Sequence, residues 1–192
     1  QYYLDTYLHG MSAYDAYEYF GIDPVIYVGW GYGTNLACSP EWAITEHPLG
    51  RSESGNERYR IEIATPGGIL TYEEHRNQYT SWMKDHPVQT EADFELFEKY
   101  FPVPDINPQP VIDARKRVGD AGIVRGYVWC FGQPGPWQDF TCLTGTQRAI
   151  ELAIDEPEWV HHCLHVLTEK KIRHIETMAD LPDDLIENGG CS

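Results

Sequence analysis

The chain has 192 residues, enough to bury one sizeable hydrophobic core, and its 30 acidic and 14 basic residues give a formal net charge of −16. A surface this acidic argues against nonspecific binding to nucleic acid or to an anionic membrane, because both need a basic footprint. The five scattered cysteines contain no CxxC pair, which favours reduced thiols and a cytoplasmic location over a disulfide framework. No apolar run is long enough to span a bilayer, so we expect no membrane partner.

The first predicted elements are a helix and a short strand. Residues 8–20 carry apolar and aromatic side chains at near-helical spacing and end at Gly21, which predicts a helix that stops there. The apolar run 25–28 is bounded by glycine and proline, which is typical of a buried strand. A loop rich in glycine and aromatic residues follows at 29–33.

The middle of the chain predicts a β-hairpin, a helix and a linker. Residues 58–72 alternate in polarity on both sides of a Pro-Gly-Gly turn, so we expect a hairpin inserted at about 57–73, beside the main sheet. Thr90 resembles the N-cap of a helix over 92–100. Four prolines in 101–110 predict a linker or surface loop.

Helices and strands alternate through the second half of the chain. We expect helices over 111–118, 144–154 and 157–179, and strands over 123–131 and 184–187. This order implies parallel strands joined by right-handed crossovers. The chain is therefore predicted to have an α/β fold.

Three strand ends, at 28–30, 129–131 and 186–188, would open on one face of a barrel of parallel strands. We predict an aromatic basin with a few polar groups on that face, suited to a bulky flat or largely apolar ligand. Its members would be Trp30, Tyr32, Trp129, Phe131, Gln133, Trp137, Glu187, Asn188 and Cys191. Core packing around a tight turn is the alternative for the tryptophans Trp129 and Trp137.

Glu187 is the best candidate for an acid or base, because desolvation at the end of an apolar strand would raise its pKa. A hydrogen-bonded structural carboxylate is the alternative. Arg125 lies in mid-strand, so its charge must be paired, either in a structural ion pair or with an anionic substrate. Thiols near strand ends, such as Cys130 and Cys191, could be nucleophiles or metal ligands, although buried inert thiols are more common.

A histidine-rich run at 161–165 places His161 and His165 one helical turn apart, as in some zinc sites. The run lacks the glutamate of a zinc-protease helix and lies away from the strand ends. We expect it to be a solvated helix face, and we expect no metal ligands within this chain. Walker, GxGxxG and GxSxG motifs are absent from the sequence.

Four motifs taken together resemble the uroporphyrinogen decarboxylase superfamily. In chain order they are TPGGILT at 65–71, GQPGPW at 132–137 with LTG at 143–145, DEPE at 155–158 and DLIENGG at 184–190. The resemblance covers the chain from about residue 8 and implies a (β/α)8 TIM barrel of roughly twice this length. Residues 1–192 would then be an incomplete N-terminal portion of one barrel domain. Both ends of the sequence fit a fragment.

The superfamily contains two kinds of enzyme. Decarboxylases remove acetate groups from a porphyrinogen without a cofactor, using an Asp and a Tyr at positions that match Gly29 and Cys142 here. Both departures weaken that assignment, and the hairpin insert is more similar to the branch of corrinoid-dependent methyltransferases. Those enzymes bind zinc through a His-x-Cys pair and a later Cys, which would fall beyond Ser192.

The leading expectation is methyl transfer between a small methylated compound or thiol and a corrinoid protein. Glu187 and Asn188 would be catalytic, and substrate would contact Trp30, Tyr32, Arg125, Trp129, Phe131, Gln133 and Trp137. Zinc is expected only for this activity. Two alternatives stay open: decarboxylation of a porphyrinogen, with Arg125 as a carboxylate partner, and a non-catalytic barrel that binds a tetrapyrrole or a protein.

Overall fold

A computed structural model describes residues 2–28 and 38–188 of the chain, and every structural statement below concerns those residues. Its helices and strands are α1 (Tyr2–Tyr7), α2 (Ala13–Phe20), β1 (Val25–Tyr27), β2 (Cys38–Ser39), β3 (Trp42–Arg51), β4 (Glu57–Thr65), β5 (Gly68–Arg76), β6 (Ser81–Met83), α3 (Glu91–Tyr100), α4 (Gln109–Val118), β7 (Ile123–Tyr127), α5 (Pro136–Thr144), α6 (Thr146–Asp155), α7 (Pro157–Glu176) and β8 (Leu185–Glu187). A 3-10 turn, Gly119–Ala121, joins α4 to β7.

The predicted parallel pairing is confirmed. Strands β1, β7 and β8 lie side by side in that order, with Val25 opposite Ile123 and Arg125 opposite Leu185. Within the described residues this sheet is open and does not close into a barrel. The fold is therefore a mixed α/β fold with one parallel sheet.

A second sheet is antiparallel and is built from β2 to β6 in chain order. The predicted hairpin is confirmed as β4 and β5, which pair from Glu57 opposite Arg76 to Thr65 opposite Gly68. The sheet is larger than the predicted hairpin, because β3 pairs along β4 and β6 pairs with the end of β5.

Each sheet has its own hydrophobic core. The core under the antiparallel sheet combines β-sheet residues such as Trp42 and Ile63 with Phe97 of α3, Phe140 of α5 and Leu167 of α7. A smaller core packs one face of the parallel sheet against other helices, and its buried members are Ile26, Val28, Val111, Ala114, Val118, Val124 and Met178.

Several predicted boundaries are confirmed and others are corrected. The stop at Gly21 and the cap at Thr90 are present, with Gly21 in the left-handed conformation and Thr90 in a capping box with Asp93. Residues 102–108 contain no regular structure, as expected of the proline-rich segment. In contrast, Ser12 caps α2 and so delays that helix to Ala13.

The second half of the chain needs two further corrections. Strand β7 ends at Tyr127, four residues before the predicted end, because the backbone then leaves the sheet. Helix α5 lies between the predicted strand 123–131 and the predicted helix 144–154, where no helix was predicted, and its Pro136 lies in the first turn, where proline needs no backbone N–H. No helix in the described ranges is both long and apolar enough to cross a bilayer.

Candidate functional site

The carboxyl ends of the three parallel strands lie together at one edge of the sheet. Backbone hydrogen bonds extend the pairing beyond the strands, since the amide of Val28 donates to Arg125 (2.8 Å) and that of Val128 donates to Glu187 (3.0 Å). The structure therefore brings Glu187 and Asn188 beside the segment that follows β7. Three predicted basin residues, Trp30, Tyr32 and Cys191, lie outside the described residues.

Arg125 and Glu187 form an ion pair on this sheet. Nη1 of Arg125 lies 3.3 Å from Oε2 of Glu187, and the two side chains are 34% and 35% exposed. The expected pairing of Arg125 is thus confirmed. Glu187 is not an isolated carboxylate in an apolar environment, since a guanidinium lies beside it and a third of its side chain meets solvent.

The face of the sheet that carries this pair is open. Alternation along the strands directs Tyr27, Arg125 and Tyr127 to the same face, and the two tyrosine rings are 4.8 Å apart. Val25, Tyr27, Ile123 and Leu185 on this face are each at least 40% exposed. Burial and the neighbouring Tyr127 raise the pKa of the Tyr27 phenol, which therefore stays neutral and can donate a hydrogen bond at physiological pH.

The aromatic residues after β7 are distributed between the core and the surface. Trp129 is buried and stacks on Phe101 at 4.3 Å, an arrangement that fits the alternative of core packing. Phe131 is partly buried and meets Tyr72 of β5 edge to face at 6.1 Å. Gln133 and Trp137 are exposed, so they remain available to a ligand.

A buried ion pair that the sequence reasoning missed lies behind this segment. Nζ of Lys171 in α7 is 2.9 Å from Oδ2 of Asp139 in α5, and both side chains are almost fully buried. Asp139 also accepts hydrogen bonds from the amides of Phe131, Gly132 and Gln133. These amides are consequently not available as an oxyanion hole while Asp139 holds them.

His174 completes the buried polar cluster. Its Nδ1 accepts a hydrogen bond from the amide of Trp129 at 3.3 Å, and its side chain is inaccessible to solvent. Burial, with a smaller effect from the Lys171 ammonium, lowers the pKa of His174 to about 4. The imidazole is therefore neutral at physiological pH, and its Nδ1 can accept the hydrogen bond from the Trp129 amide.

The two partly buried cysteines of this region have the properties of inert thiols. Burial raises the pKa of Cys130 to about 12 and that of Cys142 to about 11. Because the thiolate is the nucleophilic form, neither thiol is activated at neutral pH. This agrees with the expectation that Cys130 is a buried, unreactive thiol.

The described residues do not provide a zinc site. No group of three or more His, Cys, Asp or Glu side chains in ranges 2–28 and 38–188 is arranged to hold a metal ion. His161, His162 and His165 are exposed on α7, as predicted for a solvated helix face, and His162 lies 3.2 Å from Glu98.

Comparison with known proteins identifies no relative. No family model matches the chain, and no curated protein or solved structure matches it. Any functional assignment must therefore be argued from the motifs of the sequence and from the residues at the carboxyl edge of the parallel sheet.

Proposed function

We propose that the chain is part of a (β/α)8 barrel enzyme of the uroporphyrinogen decarboxylase superfamily that transfers a methyl group between a small methylated compound or thiol and a corrinoid protein. The order of the four sequence motifs supports the family. The parallel sheet supports the barrel, because β1, β7 and β8 lie side by side in the order in which they occur along the chain, and helices lie between each strand and the next.

The open face of the parallel sheet is a second argument for the barrel. Parallel sheets are normally covered on both faces, whereas among the described residues only the face with Ile26 and Val124 packs against helices. In a barrel the opposite face, with Tyr27 and Arg125, would point toward the barrel axis. Further strands would then cover the exposed apolar residues of that face.

The observation that carries the proposed site is the ion pair of Arg125 and Glu187 at the carboxyl edge, with Asn188 next to it. In thiol methylation the methyl group leaves the corrinoid without the bonding electron pair and forms a bond to sulfur. The thiol proton must pass to a base, and Glu187 is the candidate. Arg125 would keep that carboxylate oriented, and Asn188 would donate or accept a hydrogen bond to substrate.

Gln133 and Trp137 would contribute the outer part of the binding surface. The predicted substrate contacts Trp30 and Tyr32 lie outside the described residues. Trp129 and Phe131 would act from below, as the packed support of that surface. The resemblance implies zinc for thiol activation. Since the described residues form no such site, no step of the proposal depends on it.

The decisive experiment uses the natural full-length protein with methylcobalamin and a small thiol such as 2-mercaptoethanol. We expect the visible spectrum of methylcobalamin to change with time as the thioether forms, and we expect Glu187→Gln to slow that change. Glu57→Gln, which alters a more exposed ion pair with Arg51, is the matched control and should leave the rate unchanged.

Two results would overturn this proposal. Formation of coproporphyrinogen from uroporphyrinogen, without methyl transfer, would assign the protein to the decarboxylases. Binding of a tetrapyrrole without turnover of either substrate would assign it to non-catalytic barrels. Both measurements are made on the same preparation. Far-UV circular dichroism of that preparation shows whether an inactive sample is folded.

A further inference from the structure

Asp139 and Lys171 have no part in the proposed reaction itself, and they are far more deeply buried than the ion pair of Arg125 and Glu187. Their side chains are 1% and 4% exposed, and they join α5 to α7 through an ion pair of 2.9 Å. Burial of two charges is costly, and an apolar pair of similar volume is often at least as stabilising. Stability alone is therefore a weak reason for this pair.

The contacts of the pair are concentrated on one short segment of backbone. Oδ1 of Asp139 accepts from the amides of Gly132 (2.8 Å) and Gln133 (3.4 Å), and Oδ2 accepts from the amide of Phe131 (3.3 Å). Nζ of Lys171 donates to the carbonyl oxygen of Trp129 at 3.3 Å. The pair thus binds four of the five residues in segment 129–133.

This segment lies between the end of β7 at Tyr127 and the start of α5 at Pro136, and it pairs with no strand in the part of the chain that the structure describes. Three consecutive amides that converge on a carboxylate are a substitute for sheet hydrogen bonds, and charged acceptors make such bonds stronger than neutral ones. Lys171 balances the carboxylate and holds the start of the same segment. Together the two side chains define one backbone conformation for it.

We propose that Asp139 and Lys171 are positioning residues that fix segment 129–133 and thereby set where Phe131 and Gln133 lie beside the carboxyl edge of the parallel sheet. The effect on the backbone is independent of any activity. Its consequence for substrate rests on the proposed function, since only that proposal places a ligand at this edge.

The test separates positioning from stability with the double variant Asp139→Leu/Lys171→Met. The double variant leaves no unpaired buried charge, so the fold has reason to survive, but it removes the hydrogen bonds that the carboxylate and the ammonium make to the segment. Lys170→Met is the matched control. Lys170 precedes Lys171 on α7 and donates to the carbonyl oxygen of Phe101 at 2.9 Å instead of to the backbone of the segment.

Amide hydrogen exchange is the direct readout. In the double variant we expect the amides of Phe131, Gly132 and Gln133 to exchange about tenfold faster or more, because each loses its charge-assisted hydrogen bond to the carboxylate. Exchange within β7 and α7 should stay close to that of the unaltered protein. Lys170→Met should leave the three amides unchanged.

The single variant Lys171→Met supplies a second test of the inference. Lys171→Met keeps the carboxylate with its three amide donors, and we expect a smaller increase in exchange that is still confined to 131–133. Unchanged exchange at these amides in either folded variant overturns the inference. Uniform acceleration across the molecule overturns it as well, because that result indicates general destabilisation.

Methyl transfer provides the second readout. With methylcobalamin and 2-mercaptoethanol, Lys171→Met should raise KM several-fold more than it lowers kcat, and Lys170→Met should change neither. Absence of methyl transfer in the unaltered protein contradicts the proposed function and leaves the exchange result to decide the role of the pair. A lower kcat with an unchanged KM in Lys171→Met would contradict the link between the segment and substrate.

Discussion

Arg125 and Glu187 form a diagonal pair across two parallel strands. The register places Arg125 opposite Leu185 and Tyr127 opposite Glu187. The two charged side chains therefore lie on the same face of the sheet and are offset by two residues along the strands. Their charged atoms nevertheless lie 3.3 Å apart. This relationship explains how a charge in the middle of a short strand is tolerated at the edge that we propose as the site.

The pair should contribute little to stability. Because both side chains are about one-third exposed, we expect Glu187→Gln to lower the free energy of unfolding by about 1 kcal/mol or less. Urea denaturation monitored by circular dichroism measures the change, with Glu57→Gln as the control for an exposed pair. A loss of about 3 kcal/mol or more would instead indicate that the pair is a buried structural element.

Stability should depend on pH through His174. Folding lowers its pKa from the ordinary histidine value of 6.5 to about 4, so the folded state excludes a proton that the unfolded state binds. The contribution is complete above pH 6.5 and is lost as the pH falls toward 4. Between pH 7 and pH 5 we expect a decrease of about 2 kcal/mol in the free energy of unfolding.

The variant His174→Asn isolates this effect. Asparagine can place an oxygen near the position of Nδ1 and so accept the hydrogen bond of the Trp129 amide, but it does not titrate. The slope of stability between pH 7 and pH 5 should therefore flatten in the variant. An unchanged slope would assign the acid sensitivity to other groups.

Gly132 should be sensitive to any side chain. A Cβ atom built there would lie 2.6 Å from Cβ and 2.7 Å from Sγ of Cys142, closer than real contacts allow. We expect Gly132→Ala to lower the free energy of unfolding by about 1–3 kcal/mol through overpacking. Thermal or urea unfolding measures the change.

The matched control for this substitution is Gly135→Ala. Its new methyl group would meet the end of the flexible Gln138 side chain, which can move aside. The control should be considerably less destabilising than Gly132→Ala. Equal effects at the two positions would show that the contact with Cys142 does not decide the cost.

The thiols of Cys130 and Cys142 should react slowly in the folded protein. Burial raises their pKa values from the ordinary value of 9.0 to about 12 and about 11, so their thiolate fractions at pH 8 should be lower by about two to three orders of magnitude. Iodoacetamide labelling followed by peptide mapping should show much faster modification in urea than in buffer. Comparable rates in both conditions would contradict the burial of these thiols.

The raised pKa values of these two thiols should also make the protein less stable at high pH. Because folding raises these thiol pKa values, the folded state retains protons that the unfolded state releases at high pH. The free energy of unfolding should therefore fall as the pH rises above 9 toward 11 or 12. Urea denaturation at pH 8 and pH 10 measures the fall, and Cys142→Ala should reduce it.

Local patterns predicted the elements whose signals are contained within a few residues. Gly21 ends α2, Thr90 caps α3, and the polarity of 58–72 matches the β4–β5 hairpin. Strand β3 gave no such signal, because nearly all of its side chains after Trp42 are exposed and no alternation marks a buried face.

The missed parts of the candidate site depend on contacts between distant residues. Asp139 and Lys171 are 32 residues apart, and neither position has a spacing pattern that announces a buried pair. Helix α5 was obscured by the glycine and prolines before Trp137, which indicate a loop unless one proline lies in the first helical turn. The Arg125 pairing was predictable from burial of a charge, but its partner was not.

The strands of the antiparallel sheet lie between β1 and β7 in the sequence, and this order has a consequence for how the molecule folds. Hairpins such as β4–β5 join residues that are close neighbours in sequence, whereas Val25 must find Ile123 about a hundred residues away before β1 and β7 can pair. Local contacts form faster than distant ones, so the antiparallel sheet should appear first on the folding pathway. The edge that carries Glu187 would then be assembled in the last steps, after synthesis has passed β8.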